Sequence, residues 1–413
     1  MRILLISNNY PTVYAPSGAI YITRRVEAHR ANGDQVDAFA LRPVSSRSWD
    51  FLRRRLGLLS NEQLRIPESL TGDDGYLDVP YPVNLKHVLQ CRLGRMPTAV
   101  LRSAVESLLA QISGKTYDVI HAHGMYDVTA GAVAQMVSQR TGIPYAISVH
   151  GSDINVVMPS KAKEFVQILD GATSVAYVSD ALRLRARELG SRSRREYIIP
   201  NGVDLKSFSP DHLPGVSQGH LGQSVAYVGN LLPIKGVDRL PRIFARMAAS
   251  CPDLRFVIAG DGPLRTMLER QTRSLDIDFL GRVEPRRVSD VMLSASLLVL
   301  PSRNEGFGTV VIESHACGTP VLGSNAGGIP EAIADPNFVI PEGPGFEERF
   351  ADSAIQVLTG GLRGGDLRAR VLGFSWENIA ARERAMLQNA TESFLVAKVD
   401  TASAETRRPD MVK

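Results

Sequence analysis

Two glutamates that flank a glycine-rich turn are the residues of this sequence best suited to chemistry. Glu305 and Glu313 are separated by seven residues, with the turn Gly306-Phe307-Gly308 between them. A glycine-rich turn that follows a strand and opens a helix points backbone N–H groups and the positive end of the helix dipole at one spot, which suits a phosphate. Glu313 would lie about one turn into that helix, where its carboxylate could accept hydrogen bonds from a ribose. Phosphate and polyol together indicate a nucleotide sugar, although either glutamate alone could be an ordinary solvated acid.

Three histidines stand at the ends of predicted strands. His121 and His123 are one residue apart, so strand alternation places both rings on the same face of a sheet. His150 ends another strand, at the carboxyl edge where open α/β sheets bind ligands. Two histidines at this spacing are candidate metal ligands, but no carboxylate, cysteine or third histidine lies at a suitable spacing along the chain. We therefore predict a structural or acceptor-binding role for His121 and His123, and no metal.

Two further glycine-bearing turns follow predicted strands. Gly18 lies in the turn Pro16–Ala19 after the first strand, where a glycine either lets the backbone approach a ligand or simply makes a turn. The run from Gly260 to Gly262 is similar to part of a dinucleotide-binding fingerprint. Its third glycine is absent, and no acidic residue stands at the distance expected for a ribose contact. An NAD site is therefore not predicted.

A repeated sequence theme must position these residues. A short β-branched run, a polar or glycine turn and a helical pattern recur along the chain, which is typical of parallel βαβ units. The theme fills residues 1–205 and restarts at residue 224. The intervening stretch, 206–223, is rich in Pro, Gly, Ser and His and lacks an apolar period, which predicts a linker. We expect an α/β protein with two Rossmann-like, doubly wound parallel-sheet domains.

Helix and strand boundaries follow from the same pattern. The predicted strands are 3–7, 36–40, 119–122, 146–149, 174–178, 225–229, 255–259, 278–280 and 297–300. The predicted helices are 20–32, 99–112, 128–140, 180–189, 237–249, 263–273 and 285–293, with another from about Thr309. Ser375 is a good N-cap for a last helix, 376–396, which could cross back to the N-terminal domain. The polar tail 397–413 is expected to be disordered.

Length and composition limit the class of protein. The 413 residues exceed the ~250 to 300 that one hydrophobic core organises, so two domains are expected. A hydrophobic fraction of 44% with 22% charged residues excludes a disordered scaffold, a collagen and a coiled coil. The three cysteines form no CxxC pair, so neither a disulfide framework nor a cysteine zinc site is predicted. No stretch reaches the ~18 to 20 apolar residues of a membrane span, and the run Ile3–Ile6 is too short for a signal peptide.

The net charge of +4 is uneven along the chain. Residues 1–205 carry a net charge of +5 and the remainder −1. Arg42 to Arg65 contains six arginines interleaved with aromatic residues and leucines, which indicates either a solvated helical face or a contact with an anionic membrane or substrate. Arg53, Arg54 and Arg55 are our candidates for an acceptor or membrane surface, and we predict salt-sensitive binding to anionic liposomes. We expect a cytoplasmic protein with peripheral contact to the inner face of the cell membrane.

The order of the motifs resembles one protein family. The paired glutamates, the downstream run from Gly318 to Val321, and the strand, loop and helix from Tyr227 to Gly236 are similar to the signature of the retaining glycosyltransferases of family four, also called group one. The resemblance implies a GT-B architecture, with two Rossmann-like domains facing across a cleft. It implies acceptor binding by an N-terminal domain, 1–205, and binding of a nucleotide-sugar donor by a C-terminal domain, 224–375. It also implies no cofactor and no metal, and we expect no nucleic-acid partner.

The resemblance assigns roles to individual residues. The implied catalytic residues are His150, which reaches the donor sugar, Lys235, which offsets charge on the leaving diphosphate, and Glu305, which orients sugar hydroxyls. The implied donor-binding residues are Gly18, Asn230, Lys235, Val283, Gly306, Phe307, Gly308, Thr309 and Glu313. Many relatives carry arginine where this sequence has Asn230, whose amide donates a hydrogen bond but brings no charge.

The implied activity is that of a retaining hexosyltransferase, which moves a sugar from a UDP- or GDP-sugar to an acceptor hydroxyl. A lipid-linked saccharide in polysaccharide biosynthesis is the expected acceptor, because the acceptor domain is the basic one. No carboxylate is clearly a covalent nucleophile, so we favour a front-face route in which the leaving phosphate takes the acceptor proton. Two alternatives stay open: a nucleotide-sugar epimerase of similar fold, and a non-catalytic nucleotide-sugar-binding module, which only Asn230 favours.

Overall fold

The computed structural model describes residues 1–8, 20–45, 76–83, 85–93, 95–125, 129–212, 223–360 and 366–406. Gly18, the arginines Arg53, Arg54 and Arg55, and residues 213–222 of the predicted linker lie outside the described residues. The roles assigned to them therefore stay predictions.

The chain divides into two compact units. The first comprises Met1–Val178, Leu182–Ile199 and the chain from Ala380 onward. The second comprises Ser179–Ala181 and Pro200–Ile379. Each unit is built around one parallel sheet, as the repeated βαβ theme predicts.

The sheet of the first unit has seven strands among the described residues. They are β1 (Arg2–Ser7), β2 (Gln35–Ser45), β3 (Tyr76–Val83), β4 (Val119–His123), β5 (Tyr145–Val149), β6 (Ser174–Tyr177) and β7 (Glu196–Ile198). Their order is β3-β2-β1-β4-β5-β6-β7, and every neighbouring pair is parallel. Leu5 of β1 lies opposite Ala38 on one side and His121 on the other. The direction of winding reverses between β1 and β4, the point at which sheets of this kind bind ligands.

The sheet of the second unit has six strands in the described part of the chain. They are β8 (Ser224–Val228), β9 (Arg255–Ala259), β10 (Ile277–Gly281), β11 (Leu297–Leu300), β12 (Val321–Ser324) and β13 (Val339–Ile340). Their order is β10-β9-β8-β11-β12-β13, again parallel throughout. The winding reverses between β8 and β11, so the loops that follow these two strands are neighbours.

Helices pack against the sheets and connect the strands. Those of the first half are α1 (Ile20–Ala31), α2 (Leu85–Arg92), α3 (Thr98–Gln111), α4 (Ala130–Thr141), α5 (Ala162–Asp170) and α6 (Asp180–Glu188). Those of the second half are α7 (Leu240–Ser250), α8 (Arg265–Gln271), α9 (Pro285–Ser294), α10 (Thr309–Ala316), α11 (Ile329–Ile333), α12 (Phe346–Leu358), α13 (Leu367–Val371) and α14 (Trp376–Thr406). No helix within the described residues is both long and apolar enough to cross a membrane.

Two predicted helices differ in form or length from the prediction, and five helices, α2, α5, α11, α12 and α13, were not predicted. The predicted helix 237–249 opens as a 3-10 turn, Val237–Arg239, and becomes α-helical only at Leu240. The last helix extends to Thr406, ten residues into the tail predicted as disordered, because residues 397–406 contain neither glycine nor proline to end it. Its N-cap matches the prediction: the Ser375 hydroxyl accepts a hydrogen bond from the Asn378 N–H at 3.2 Å.

From Ala380 onward, α14 belongs to the first unit. Its buried stripe contains Ala380, Met386, Leu387 and Ala390, spaced as one face of a helix requires. Glu383 lies on the same stripe and is fully buried. A carboxylate in such a position needs charged or hydrogen-bonding partners, because an isolated buried charge is very costly.

Candidate functional site

The loops after β8 and β11 bring Lys235 and Glu305 together. The Lys235 Nζ atom lies 2.7 Å from each carboxylate oxygen of Glu305. The two side chains are 28% and 12% exposed, respectively. The ammonium group therefore remains partly hydrated, and an incoming anion can compete with Glu305 for it.

Local backbone geometry fixes the turn that carries Lys235. Lys235 ends the 3-10 turn Pro233–Lys235, and Gly236 follows with a φ of +67°. A Cβ atom at Gly236 would lie 1.9 Å from the carbonyl oxygen of Pro301. Only glycine fits here, because both the left-handed conformation and the close approach exclude a side chain.

Arg303 joins the two loops. Its backbone N–H donates to the Ile234 carbonyl at 2.8 Å, and its guanidinium donates to the Pro233 carbonyl at 2.8 Å. The same guanidinium contacts both carboxylate oxygens of Asp238, at 2.6 and 2.8 Å. The turn that bears Lys235 is thus tied to the loop that bears Glu305.

Ser302 and a pair of glycines hold Glu305, and sequence reasoning missed all three. The buried Ser302 hydroxyl donates to Glu305 Oε1 at 3.1 Å. Gly328, after β12, donates its N–H to the Glu305 carbonyl at 3.2 Å, and a Cβ atom on Gly327 would lie 2.0 Å from that oxygen. The signal that could have found the two glycines is a Gly-Gly pair shortly after a strand, at the carboxyl edge of the sheet.

The predicted glycine-rich turn opens α10. Gly308 is the N-cap of this helix, with a φ of +89°, and Thr309 is its first residue. Phe307 is buried, with its ring centroid 5.7 Å from that of Phe374, so the turn is anchored in the core. The Thr309 hydroxyl accepts a hydrogen bond from the Asn201 amide at 3.2 Å. The helix N-terminus beside Gly306 thus combines backbone donors with the positive end of the dipole.

Glu313 lies within α10, one turn beyond its start. Burial raises the pKa of its carboxyl to about 8. The side chain is therefore mostly protonated at neutral pH, and it must ionise to accept two hydroxyl hydrogen bonds as a carboxylate.

Asn230 and Val283 lie on the same carboxyl edge of the second sheet. Asn230 is exposed directly after β8, and its carbonyl accepts a hydrogen bond from the Tyr227 hydroxyl at 3.1 Å. Val283 follows β10, two strands away from β8 in the sheet order. The structure thus brings Lys235 and Glu305 into contact and places Val283 further along this edge.

The three histidines of the first unit form a cluster. The His121 Nε2 atom lies 2.8 Å from the Ser148 hydroxyl, and His123 Nδ1 lies 3.5 Å from His150 Nε2. The ring of His123 lies 4.2 Å from that of His121 and 5.7 Å from that of His150, between centroids. The Tyr21 ring packs on His150 with a centroid distance of 4.7 Å. All three histidines are buried.

Burial keeps these histidines neutral. It lowers the pKa of His121 to about 4 and that of His150 to about 3, and it places the pKa of His123 well below the usual value. The carboxylate of Asp153 accepts the His150 backbone N–H at 2.8 Å, and burial raises the pKa of Asp153 to about 7. A neutral imidazole offers one donor and one acceptor, which suits a sugar hydroxyl.

A carboxylate that sequence spacing did not reveal completes this cluster. One ring nitrogen of His121, one of His123 and a carboxylate oxygen of Glu383 all lie within 4.8 Å of one another, a set that could hold a metal ion. Glu383 also accepts hydrogen bonds from Arg25 and, at 3.3 Å, from His29. A divalent cation would share this buried space with a guanidinium, and the expectation of a metal-free protein stays a prediction.

Both halves of the chain match models of glycosyltransferase families. The model described as glycosyl transferases group 1 matches residues 222–371, and the glycosyl transferase 4-like domain matches residues 18–202. The putative teichuronic acid biosynthesis glycosyltransferase TuaC of Bacillus subtilis is 29% identical over 342 residues, which cover 80% of this chain and 82% of that protein.

Solved structures share the fold. Sucrose-phosphate synthase from Thermosynechococcus elongatus superposes with a TM-score of 0.69 at 21% identity, covering 95% of this chain and 100% of that one. HepE of Anabaena, in complex with UDP-glucose, gives a TM-score of 0.59 at 17% identity, covering 97% and 100%. The two parallel-sheet units, the motifs on their loops and both family models identify the chain as a member of the group 1 glycosyltransferases, enzymes of GT-B architecture.

Proposed function

We propose that this enzyme transfers a hexose from a UDP- or GDP-sugar to an acceptor hydroxyl, with retention of the anomeric configuration. The observation that carries the proposal is the Lys235–Glu305 contact beside the N-terminus of α10. This arrangement offers a cation and backbone donors to the diphosphate, and a carboxylate to the sugar.

Donor binding would rearrange this ion pair. The donor diphosphate carries two negative charges and competes with Glu305 for Lys235. Once released, Glu305 accepts hydrogen bonds from sugar hydroxyls, and Glu313 accepts them from the ribose. Asn230 adds no charge, so Lys235 carries most of the electrostatic stabilisation of the leaving diphosphate.

The chemical step follows a front-face route. The bond between the anomeric carbon and the diphosphate oxygen breaks, and the acceptor oxygen bonds to the same face of that carbon. The acceptor proton passes to the departing phosphate oxygen. Positive charge on the sugar and negative charge on the leaving group develop together, so neutral His150 can contact the sugar without repelling it.

We propose a lipid-linked saccharide as the acceptor, bound by the first unit. The relative TuaC carries teichuronic acid biosynthesis in its name, and residues 1–205 carry a net charge of +5. Arg53, Arg54 and Arg55 would hold the protein at an anionic membrane surface. Unchanged binding to anionic liposomes after all three are replaced by serine would contradict this part.

A thermal-shift screen against UDP-, GDP-, ADP- and dTDP-sugars tests the donor, because a ligand that binds only the folded state raises the melting temperature. The selected donor is then offered with polyprenyl-linked primers, with and without EDTA, and NMR of the product reports its anomeric configuration. We expect a retained, EDTA-insensitive product. An epimerised sugar released without acceptor would indicate an epimerase, and binding without turnover across the acceptors would indicate a binding module.

Glu305→Gln tests the role of Glu305. We expect loss of turnover with no glycosyl adduct on the protein. Near-full turnover by this variant, with a glycosyl adduct trapped on another residue, would contradict the front-face assignment.

A further inference from the structure

A buried ion pair joins the first and last helices of the first unit. The guanidinium of Arg25, on α1, donates to the carboxylate of Glu383, on α14, and each side chain is 1% exposed. His29 Nε2 lies 3.3 Å from the second carboxylate oxygen, and His29 Nδ1 lies 2.9 Å from Asp34. The pair occupies a stripe that is otherwise apolar on α14.

Stability alone is a poor reason for such a pair. Desolvation of two charges offsets most of their attraction, and apolar replacements of similar volume are often neutral or stabilising. Removing one partner is different, because it leaves an uncompensated charge in the core. A buried pair of this kind can instead fix the geometry of the groups that surround it.

Those groups are the histidines of the cluster described above. A carboxylate oxygen of Glu383 lies within 4.8 Å of one ring nitrogen of His121 and one of His123. His121 Nδ1 and His123 Nε2 have no hydrogen-bond partner among the described residues. His123 in turn contacts His150 through Nδ1 at 3.5 Å. A row of closely spaced polar groups therefore runs from Glu383 on α14, past His121 and His123, to the ring of His150.

We propose that Arg25 and Glu383 are positioning residues for sugar transfer: the ion pair fixes the rings of His121 and His123, and these fix the ring of His150. The inference rests on the proposed function, in which His150 meets the sugar. It assigns the C-terminal helix a part in the transfer site, although α14 lies outside every motif that carries the family resemblance.

The charges around the cluster support this role. The groups that face His150 are Arg25 and Tyr21 from α1, His121 and His123 from β4, Asp153 after β5, and Glu383 from α14. After burial, Arg25 contributes most to lowering the pKa of His150, and Glu383 opposes it. Arg25 and His29 also hold the pKa of Glu383 at about 2, against the effect of its burial. The pair thus places a buried cation and a buried carboxylate, in contact with each other, next to a neutral cluster.

Two variants separate charge from geometry. Arg25→Met leaves Glu383 buried without its cation, so a proton should bind to His121. We expect an acid limb in kcat/KM to appear between pH 5 and 7, with donor KM within about twofold of wild type because the Lys235 site is intact. The double variant Arg25→Met with Glu383→Met removes both charges, and we expect kcat to fall about tenfold at every pH, without that acid limb.

The measurements use the full chain, the donor selected in the thermal-shift screen and transfer to water or primer as the readout. Histidine ring NMR across pH 5 to 8 reports protonation directly, and we expect the His121 ring to titrate in this range only in Arg25→Met. The double variant Arg140→Met with Glu106→Met removes an exposed ion pair of the same unit and serves as the control. It should match wild type in every readout.

Three results would overturn the proposal. One is a double variant with wild-type kcat and unchanged ring spectra. Another is an Arg25→Met variant whose histidines stay neutral and whose pH profile is unchanged. The third is a stoichiometric divalent metal in the purified protein that His123→Ala removes. If Arg25→Met does not fold, the kcat and the histidine ring spectra of the double variant test the proposal. Failure of the wild-type enzyme to transfer sugar would refute the proposed function, while the ring spectra would still decide the positioning.

Discussion

The two reversal points of the molecule share a topology and differ in chemistry. In the second unit, the loops after β8 and β11 carry a charged pair, Lys235 and Glu305, that is partly open to solvent. In the first unit, β4 and the loop after β5 carry three buried, neutral histidines. The buried charged groups next to these histidines are Arg25 and Glu383, which pair with each other. The site of the second unit suits an anionic ligand, and the histidine cluster of the first unit suits uncharged hydroxyl groups.

Exposure to solvent decides whether a charged group can exchange its ion-pair partner for a ligand. Lys235 keeps part of its hydration, so exchanging Glu305 for a diphosphate requires little additional desolvation. Arg25 cannot exchange partners in this way, because leaving Glu383 would expose both charges to an apolar interior. We therefore propose that a cation–carboxylate pair binds a ligand in the second unit and positions other side chains in the first.

Lys235→Met should impair the enzyme most severely, because it removes the cation proposed to bind the donor diphosphate. We expect kcat/KM for the donor to fall about 100-fold to 1,000-fold, the loss typical when a group that stabilises a developing negative charge is removed. Steady-state kinetics with the selected donor measure it. Lys206→Met, at an exposed lysine of the same unit, is the control. A loss below tenfold would show that Lys235 does not carry the leaving group.

Among the donor-binding candidates of the second unit, Glu313 is the acid that is mostly uncharged at neutral pH. Its pKa of about 8 means that acidification protonates the carboxyl and weakens donor binding. We expect donor affinity to fall about 30-fold between pH 9 and pH 6.5, following the fraction ionised. Calorimetry across this range should show the decline in wild type and a flat profile in Glu313→Gln. An equal decline in both proteins would place the titration elsewhere.

Asn230→Arg would add a second cation to the proposed donor-binding residues of the second unit. We expect the donor to bind about tenfold more tightly, since a charge-assisted hydrogen bond to phosphate is stronger than one from a neutral amide. Asn230→Gln keeps the amide without the charge and should bind like wild type. Thermal shift and calorimetry compare the three proteins, and equal affinities would mean that this position does not reach the diphosphate.

Ser302→Ala is the mildest change, because it removes one hydrogen bond to Glu305 and leaves the ion pair. We expect kcat to fall about threefold, consistent with about 0.5 to 1.5 kcal/mol for one neutral hydrogen bond. Ser296→Ala, at an exposed serine before β11, is the control. Identical kinetics in the two variants would show that Glu305 needs no support from Ser302.

Sequence periodicity predicted the fold well because parallel strands are short apolar runs with recognisable turns after them. The strand predicted at 297–300 and the helix predicted from Thr309 both match the structure. Lys235 and Glu305 were both singled out from their motifs, in the loops that follow β8 and β11, but their contact with each other was not predicted. Motif spacing describes residues that are close together along the chain, and each loop of this site is a short segment of that kind.

The Arg25–Glu383 pair could not be predicted in the same way. Its members are 358 residues apart, and neither belongs to a motif. A charged residue on a helical stripe normally indicates the solvent face, so sequence patterning assigns Glu383 to the surface. Sequence analysis missed Ser302 for a related reason. A serine beside a motif indicates a functional role only once the structure shows that its hydroxyl contacts Glu305.

Because α14 belongs to the first unit from Ala380 onward, this unit can be completed only after the segment Pro200–Ile379 has been synthesised. A ribosome delivers Arg25 and His29 long before it delivers Glu383, and the whole of the continuous segment Pro200–Ile379 emerges in between. The second unit can therefore fold while the first still lacks its last helix and the counter-charge for Arg25. We expect the nascent first unit to stay loosely packed, and open to chaperones, until α14 has been synthesised.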